Sequence, residues 1–123
     1  MLKKLFFGLA IFYTLFLAVL SVISLKLLPS TGIDYADKIA HFAAYFLLYT
    51  LWYLSMKKEL IAKYFILLFL GCIGYGIILE LIQGEFTSER SADYLDAVAN
   101  TVGVLSSVLV MYLLSKLNVK MRS

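Results

Sequence analysis

Asp37, Lys38, His41 and Tyr45 fall inside the stretch Asp37-Lys38-Ile39-Ala40-His41-Phe42-Ala43-Ala44-Tyr45, which is otherwise apolar or small. On a helix the i, i+4, i+8 spacing stacks Asp37, His41 and Tyr45 along one stripe. Glu80 and Gln83, one turn apart, close a later apolar run, and their stripe continues back through Gly76 and Cys72. Small residues there permit close helix contact. Arg90 follows, and then Asp93, Asp96 and Asn100, which continue at helical spacing through Gly103 to Ser107. A carboxylate, an imidazole and a guanidinium gathered at one point suit an anionic or hydroxylated headgroup. The same types also suit acid–base chemistry, with Glu80 or His41 as general base and Arg90 stabilising negative charge on a phosphoryl group.

Each of these residues also has a structural use. His41 can bond to Asp37 or Glu80 and fix helix packing. Glu80 closes an apolar run where an unpaired charge is expensive, and Arg90 is a candidate partner. Asp93 suits a helix cap, Asp96 a first-turn charge and Asn100 an interhelical hydrogen bond. No H-E-x-x-H, G-x-S-x-G or P-loop occurs, and Cys72 has no neighbouring base. A metal held by His41, Glu80, Asp93 and Asp96 lacks any recognisable ligand spacing, so neither metal nor cofactor is expected. Tyr35, Trp52, Tyr53, Tyr64 and Tyr94 read as interfacial aromatics and Cys72 as a small packing residue.

The elements that must position these groups are helices in lipid. Of 123 residues 63% are hydrophobic, and mean hydropathy is +0.92, far from a soluble composition. Residues 5–25, 39–56, 64–83 and 95–115 form four apolar runs long enough to cross a hydrocarbon core as helices. Lys3 and Lys4 resemble the start of a signal peptide, but the run behind them is too long and no A-x-A-like site follows, so a retained anchor is expected. Continuous apolar runs lack the alternation of a β-barrel. With no linker, low-complexity tract or repeat, residues 1–123 read as one domain.

Lys3, Lys4, Lys57, Lys58, Lys63, Lys116, Lys120 and Arg122 fall on one side of such a topology, against Lys26, Lys38 and Arg90 on the other. The positive-inside rule then makes both termini cytoplasmic. The expected fold is an all-α, four-helix transmembrane bundle. Its cations form no basic stripe, so the net charge of +3 points to topology and membrane lipids, not nucleic acid. The acidic residues lie almost wholly outward, and the three polar stretches should meet there at one depth in a shared pocket.

Taken in order, Asp37-Lys38-x-x-His41-Phe42-x-x-Tyr45, Glu80-x-x-Gln83, Arg90, Asp93, Asp96 and Asn100-x-x-Gly103 resemble the VanZ-like family. The resemblance runs from about Asp37 to Leu114, with the first span as the family's leading helix. One departure is the outer segment Gly84 to Ser91, which lacks the proline expected shortly before the arginine. The resemblance implies a multi-pass protein of the bacterial inner membrane, and the name-giving member is associated with teicoplanin resistance. By that analogy the polar pocket binds or acts on a cell-envelope molecule such as a lipid-linked wall precursor, or hinders drug access. Binding without turnover, an intramembrane hydrolase or transferase, and a small ion-coupled transporter are the functions in competition. The transporter fits least, because coupling sites lie near the midplane of folds built from repeats.

Overall fold

A computed structural model of the chain describes residues 2–27, 34–86 and 94–122, with side chains described at 2–21, 38–82 and 95–117. These form four helices: α1 (Leu2–Leu27), α2 (Asp34–Ser55), α3 (Lys58–Phe86) and α4 (Tyr94–Arg122). Three stretches, Leu2–Ser21, Lys58–Ile82 and Leu95–Leu117, are long and apolar enough to cross a membrane. No more than 33% of any of them is buried inside the bundle. Leu, Ile, Phe and Val side chains such as Leu15, Leu67, Ile78 and Leu109 point outward, an arrangement whose natural solvent is lipid, not water.

The expected second span lies in α2, which is not among those three stretches. Lys38, His41 and four tyrosines from Tyr35 to Tyr53 dilute its apolar character. The packing accounts for this composition. α2 lies most extensively against α4, then against α1 and α3, whereas the backbones of α1 and α4 make no close approach among the described residues. As the most enclosed helix, α2 can carry polar and aromatic groups toward protein partners that satisfy them, which lipid cannot.

The directions of the helices follow from their polar ties. Lys3 Nζ donates to the Met56 carbonyl at 2.8 Å and the Tyr13 hydroxyl to the Ala44 carbonyl at 2.6 Å. Residue numbers rise in α1 as they fall in α2, so the pair is antiparallel. From α2 to α4 both rise, from Lys38–Asp96 to Thr50–Ser107, so this pair is parallel. α2 and α3 are joined by only Met56 and Lys57, which makes them antiparallel neighbours. Ile61 N–H donates to the Lys57 carbonyl at 3.0 Å, so Lys57 occupies the N-cap, and Glu59 places a negative charge in the first turn. α3 leaves helical geometry at Tyr64 (φ −119°, ψ 16°), which sets Lys58–Lys63 off from the rest of the helix.

Leu17, Tyr45, Leu48, Tyr49, Cys72, Val104 and Met111 make the buried core. Trp52, expected as an interfacial aromatic, turns inward: its indole N–H donates to Thr14 Oγ1 at 2.9 Å, and its ring meets Phe7 edge to face at 5.9 Å. An indole N–H among apolar neighbours needs an acceptor, and Thr14 supplies the nearest one.

Candidate functional site

The site depends on one close approach of two helices. A Cβ added to Gly103 would lie 2.3 Å from the Phe42 carbonyl oxygen, so α4 rests there with its backbone directly on that of α2. Only glycine fits such a contact. On each helix residues within two turns on the N-terminal side of this contact are thereby brought face to face: Lys38 and His41 from α2, Asp96 and Asn100 from α4.

Asp96 is the floor of this cluster, only 4% exposed. Lys38 Nζ donates to its Oδ1, and His41 Nε2 lies 3.6 Å from its Oδ2. Asp96 also stands in the first turn of α4, where the helix dipole favours a negative charge. His41 Nδ1 is 3.0 Å from Asn100 Oδ1. An amide oxygen only accepts, so Nδ1 carries the proton and Nε2 faces the carboxylate. The Lys38 and His41 side chains remain 23% and 21% exposed while that of Asp96 is 5% exposed. The groups able to be cationic therefore form the rim, and the anion that anchors them lies beneath. Burying a carboxylate is costly unless it is paired and hydrogen-bonded, and the lysine supplies both.

α3 closes a third side. A Cβ on Gly76 would come within 3.0 Å of the Tyr45 ring and 3.1 Å of Asn100 Nδ2. The bare backbone at Gly76 therefore lets side chains of α2 and α4 settle against α3 together. Glu80, one turn farther along α3, is buried as well. Deeper in the bundle a second polar tie joins α2 to α4, with Thr50 Oγ1 and Ser107 Oγ 2.7 Å apart. Thr50 gives its own proton to the Phe46 carbonyl at 2.8 Å, so the fully buried Ser107 is the donor between them.

Of the residues singled out from the sequence, Lys38, His41, Asp96 and Asn100 come together, and Tyr45 and Asn100 share the space over Gly76. Glu80 is buried on the same α3 face as Gly76. Asp37 and Gln83 sit on α2 and α3, with side chains outside those described; Arg90 and Asp93 lie outside the described residues. His41, expected against Asp37 or Glu80, has Asn100 and Asp96 of α4 among its neighbours, and the Asp37 side chain is outside those described. Thr50 is the polar residue that the sequence reading passed over; its signal was a hydroxyl within an apolar run, on the helix that already carried His41. Among the described residues no three His, Cys, Asp or Glu side chains are grouped so as to hold a metal ion. Comparison of the chain with family models, curated proteins and solved structures finds no match.

Proposed function

We propose that this is a VanZ-like protein of the bacterial inner membrane, a four-span bundle with both ends cytoplasmic, which binds an anionic cell-envelope component at an outward-facing polar site and so alters glycopeptide susceptibility. The observation that carries this reading is the buried Asp96 carboxylate with Lys38 and His41 as its partly exposed rim. An anionic headgroup arriving from outside meets the cationic members first, and the carboxylate beneath holds them in place. Lys38, His41, Asp96, Asn100 and Gly103, which carry much of the family resemblance, are also those that meet between α2 and α4. The 22 residues of α2 amount to about 33 Å of helix, enough for a fourth span despite its polarity.

Binding is favoured over catalysis by the surroundings of His41. Both ring nitrogens face protein atoms, Asn100 on one side and Asp96 on the other, which suits an imidazole that holds a position better than one that abstracts a substrate proton.

The test expresses wild type and Asp96→Asn at matched membrane levels in a glycopeptide-susceptible bacterium, with teicoplanin and vancomycin inhibitory concentrations read side by side. A rise for teicoplanin that the variant loses is the expected result. An equal rise in both strains, or none with the wild type, removes the outer cluster as the seat of this function.

A further inference from the structure

At the end of the molecule away from the polar cluster, side chains of α1, α2 and α3 line a groove of about 540 Å³. That is within the range of small-molecule sites. Leu48 and Trp52 form its floor, and Leu67, Leu68, Gly71 and Cys72 form its α3 wall. The wall is almost wholly apolar because its polar atoms are satisfied within the bundle. Trp52 Nε1 donates to Thr14 Oγ1, and Thr14 Oγ1 donates to the Ala10 carbonyl at 2.7 Å. The Tyr75 hydroxyl donates to the Thr14 carbonyl, tying α3 to α1 and closing the groove toward the middle of the bundle. Leu67 and Gly71 are exposed, so the groove opens sideways.

The other end is lined by Met56 and Tyr64, beside a segment that carries Lys57, Lys58 and Lys63 against the single acidic residue Glu59. Lys3 donates to the Met56 carbonyl, Lys57 and Lys58 follow Met56 directly, and Lys63 Nζ lies 5.4 Å from the centre of the Tyr64 ring. From Tyr75 to Tyr64 the α3 wall runs about 16 Å at 1.5 Å per residue. That is close to half of the roughly 30 Å hydrocarbon thickness. The groove therefore has the length of one leaflet, an apolar wall, a closed end at mid-bundle and a basic segment beside its other end.

From this match of length and charge we infer that the groove holds one acyl chain of an anionic phospholipid, whose phosphate sits among Lys57, Lys58 and Lys63. The inference rests on the membrane-spanning reading proposed above. Anionic lipid of the cytoplasmic leaflet attracts basic residues near the surface, and here those residues stand beside a slot for the lipid's own tail.

Trp52 is the chain's single tryptophan and lines the groove, so its fluorescence reports contact with a brominated acyl chain. The full chain is reconstituted in phosphatidylcholine vesicles containing equal mole fractions of either acyl-brominated phosphatidylglycerol or acyl-brominated phosphatidylcholine. The expected result is stronger quenching of Trp52 by the anionic lipid. That excess is lost in the triple variant Lys57→Gln/Lys58→Gln/Lys63→Gln. Gly71→Phe fills the groove and weakens quenching by both lipids; a Cβ at Gly71 meets nothing within 4 Å, replacing glycine favours the helix, and far-UV circular dichroism checks that the variant keeps its helices. Asp96→Asn leaves the quenching as it is, which separates this site from the outer one. Equal quenching by the two lipids in the wild type overturns the inference, as does quenching that Gly71→Phe does not change. No quenching by either lipid overturns both the inference and the membrane-spanning reading.

Discussion

Gly103→Ala is the smallest change that tests how the polar cluster is assembled. The new Cβ would lie 2.3 Å from the Phe42 carbonyl oxygen, where ordinary contact begins at 3.4 Å, so α2 and α4 must part by roughly 1 Å, the difference of the two. The obstacle is backbone on both sides, so no side-chain rotation relieves it. His41 Nδ1 and Asn100 Oδ1, now 3.0 Å apart, would move to about 4 Å, beyond hydrogen-bonding distance. Overpacking of this kind costs about 1–3 kcal/mol, and loss of the imidazole–amide bond adds about 1 kcal/mol. Against this, alanine gains about 1 kcal/mol over glycine within a helix. The balance is a destabilisation of about 1–3 kcal/mol. Gly74→Ala, in α3, is the control with the opposite sign. A Cβ there meets nothing within 4 Å, so only the propensity gain of up to about 1 kcal/mol remains. Unfolding by sodium dodecyl sulfate in mixed micelles, followed by far-UV circular dichroism, measures both. If Gly103→Ala resists unfolding as well as the wild type, the backbone contact between α2 and α4 does not set the site.

Further expectations concern the contacts around that crossing and the orientation of the bundle. In a double-mutant cycle of Asp96→Asn and Lys38→Met, the coupling energy should be about 1–2 kcal/mol, below the full value of a buried pair because Lys38 is partly exposed. Additivity in the same unfolding assay would mean that the ion pair is incidental. Ser107→Ala should cost about 1 kcal/mol by deleting the donor to Thr50, whereas Ser106→Ala should cost less, since Ser106 is only half-buried. For topology, single cysteines at Lys57→Cys and Ser88→Cys in a Cys72→Ala background are exposed to a membrane-impermeant maleimide on intact cells. Labelling of Ser88→Cys alone is expected; the reverse pattern would invert the orientation, and labelling of neither would place both on the inner side.

Helical spacing made the faces of α3 and α4 legible from sequence, because Glu80–Gly76–Cys72 and Asp96–Asn100–Gly103–Ser107 each form one stripe whatever the neighbours are. Those seven residues are all buried in the structure. Which stripe meets which is a different kind of information. It depends on the rotation and separation of whole helices, and here these are set by backbone contact at Gly103, which periodicity alone does not express. His41 therefore has α4 neighbours that its own helix gave no means of naming. The hydropathy of α2 misleads for a related reason. Scored against lipid it is a weak span, yet it faces protein on three sides, and its polar groups are those its neighbours satisfy.

The same helix governs both ends of the molecule. Toward its N-terminus α2 carries Lys38 and His41 and is pressed against α4, so the space between them is filled by paired charges. Toward its C-terminus it carries Leu48 and Trp52, which line the groove, and the Tyr75–Thr14 tie joins α3 to α1 beside them. In the sequence, Leu67 and Gly71 fall within an apolar run and Trp52 reads as an interfacial aromatic, and nothing in their spacing distinguishes a convex lipid-facing surface from a slot. The slot lies where α2 is lined by α1 and α3, on a face not taken up by its extensive contact with α4. A helix inserted there would need a further apolar segment; a lipid chain needs only the apolar walls and basic residues near the open end, where Lys63 lies over the Tyr64 ring.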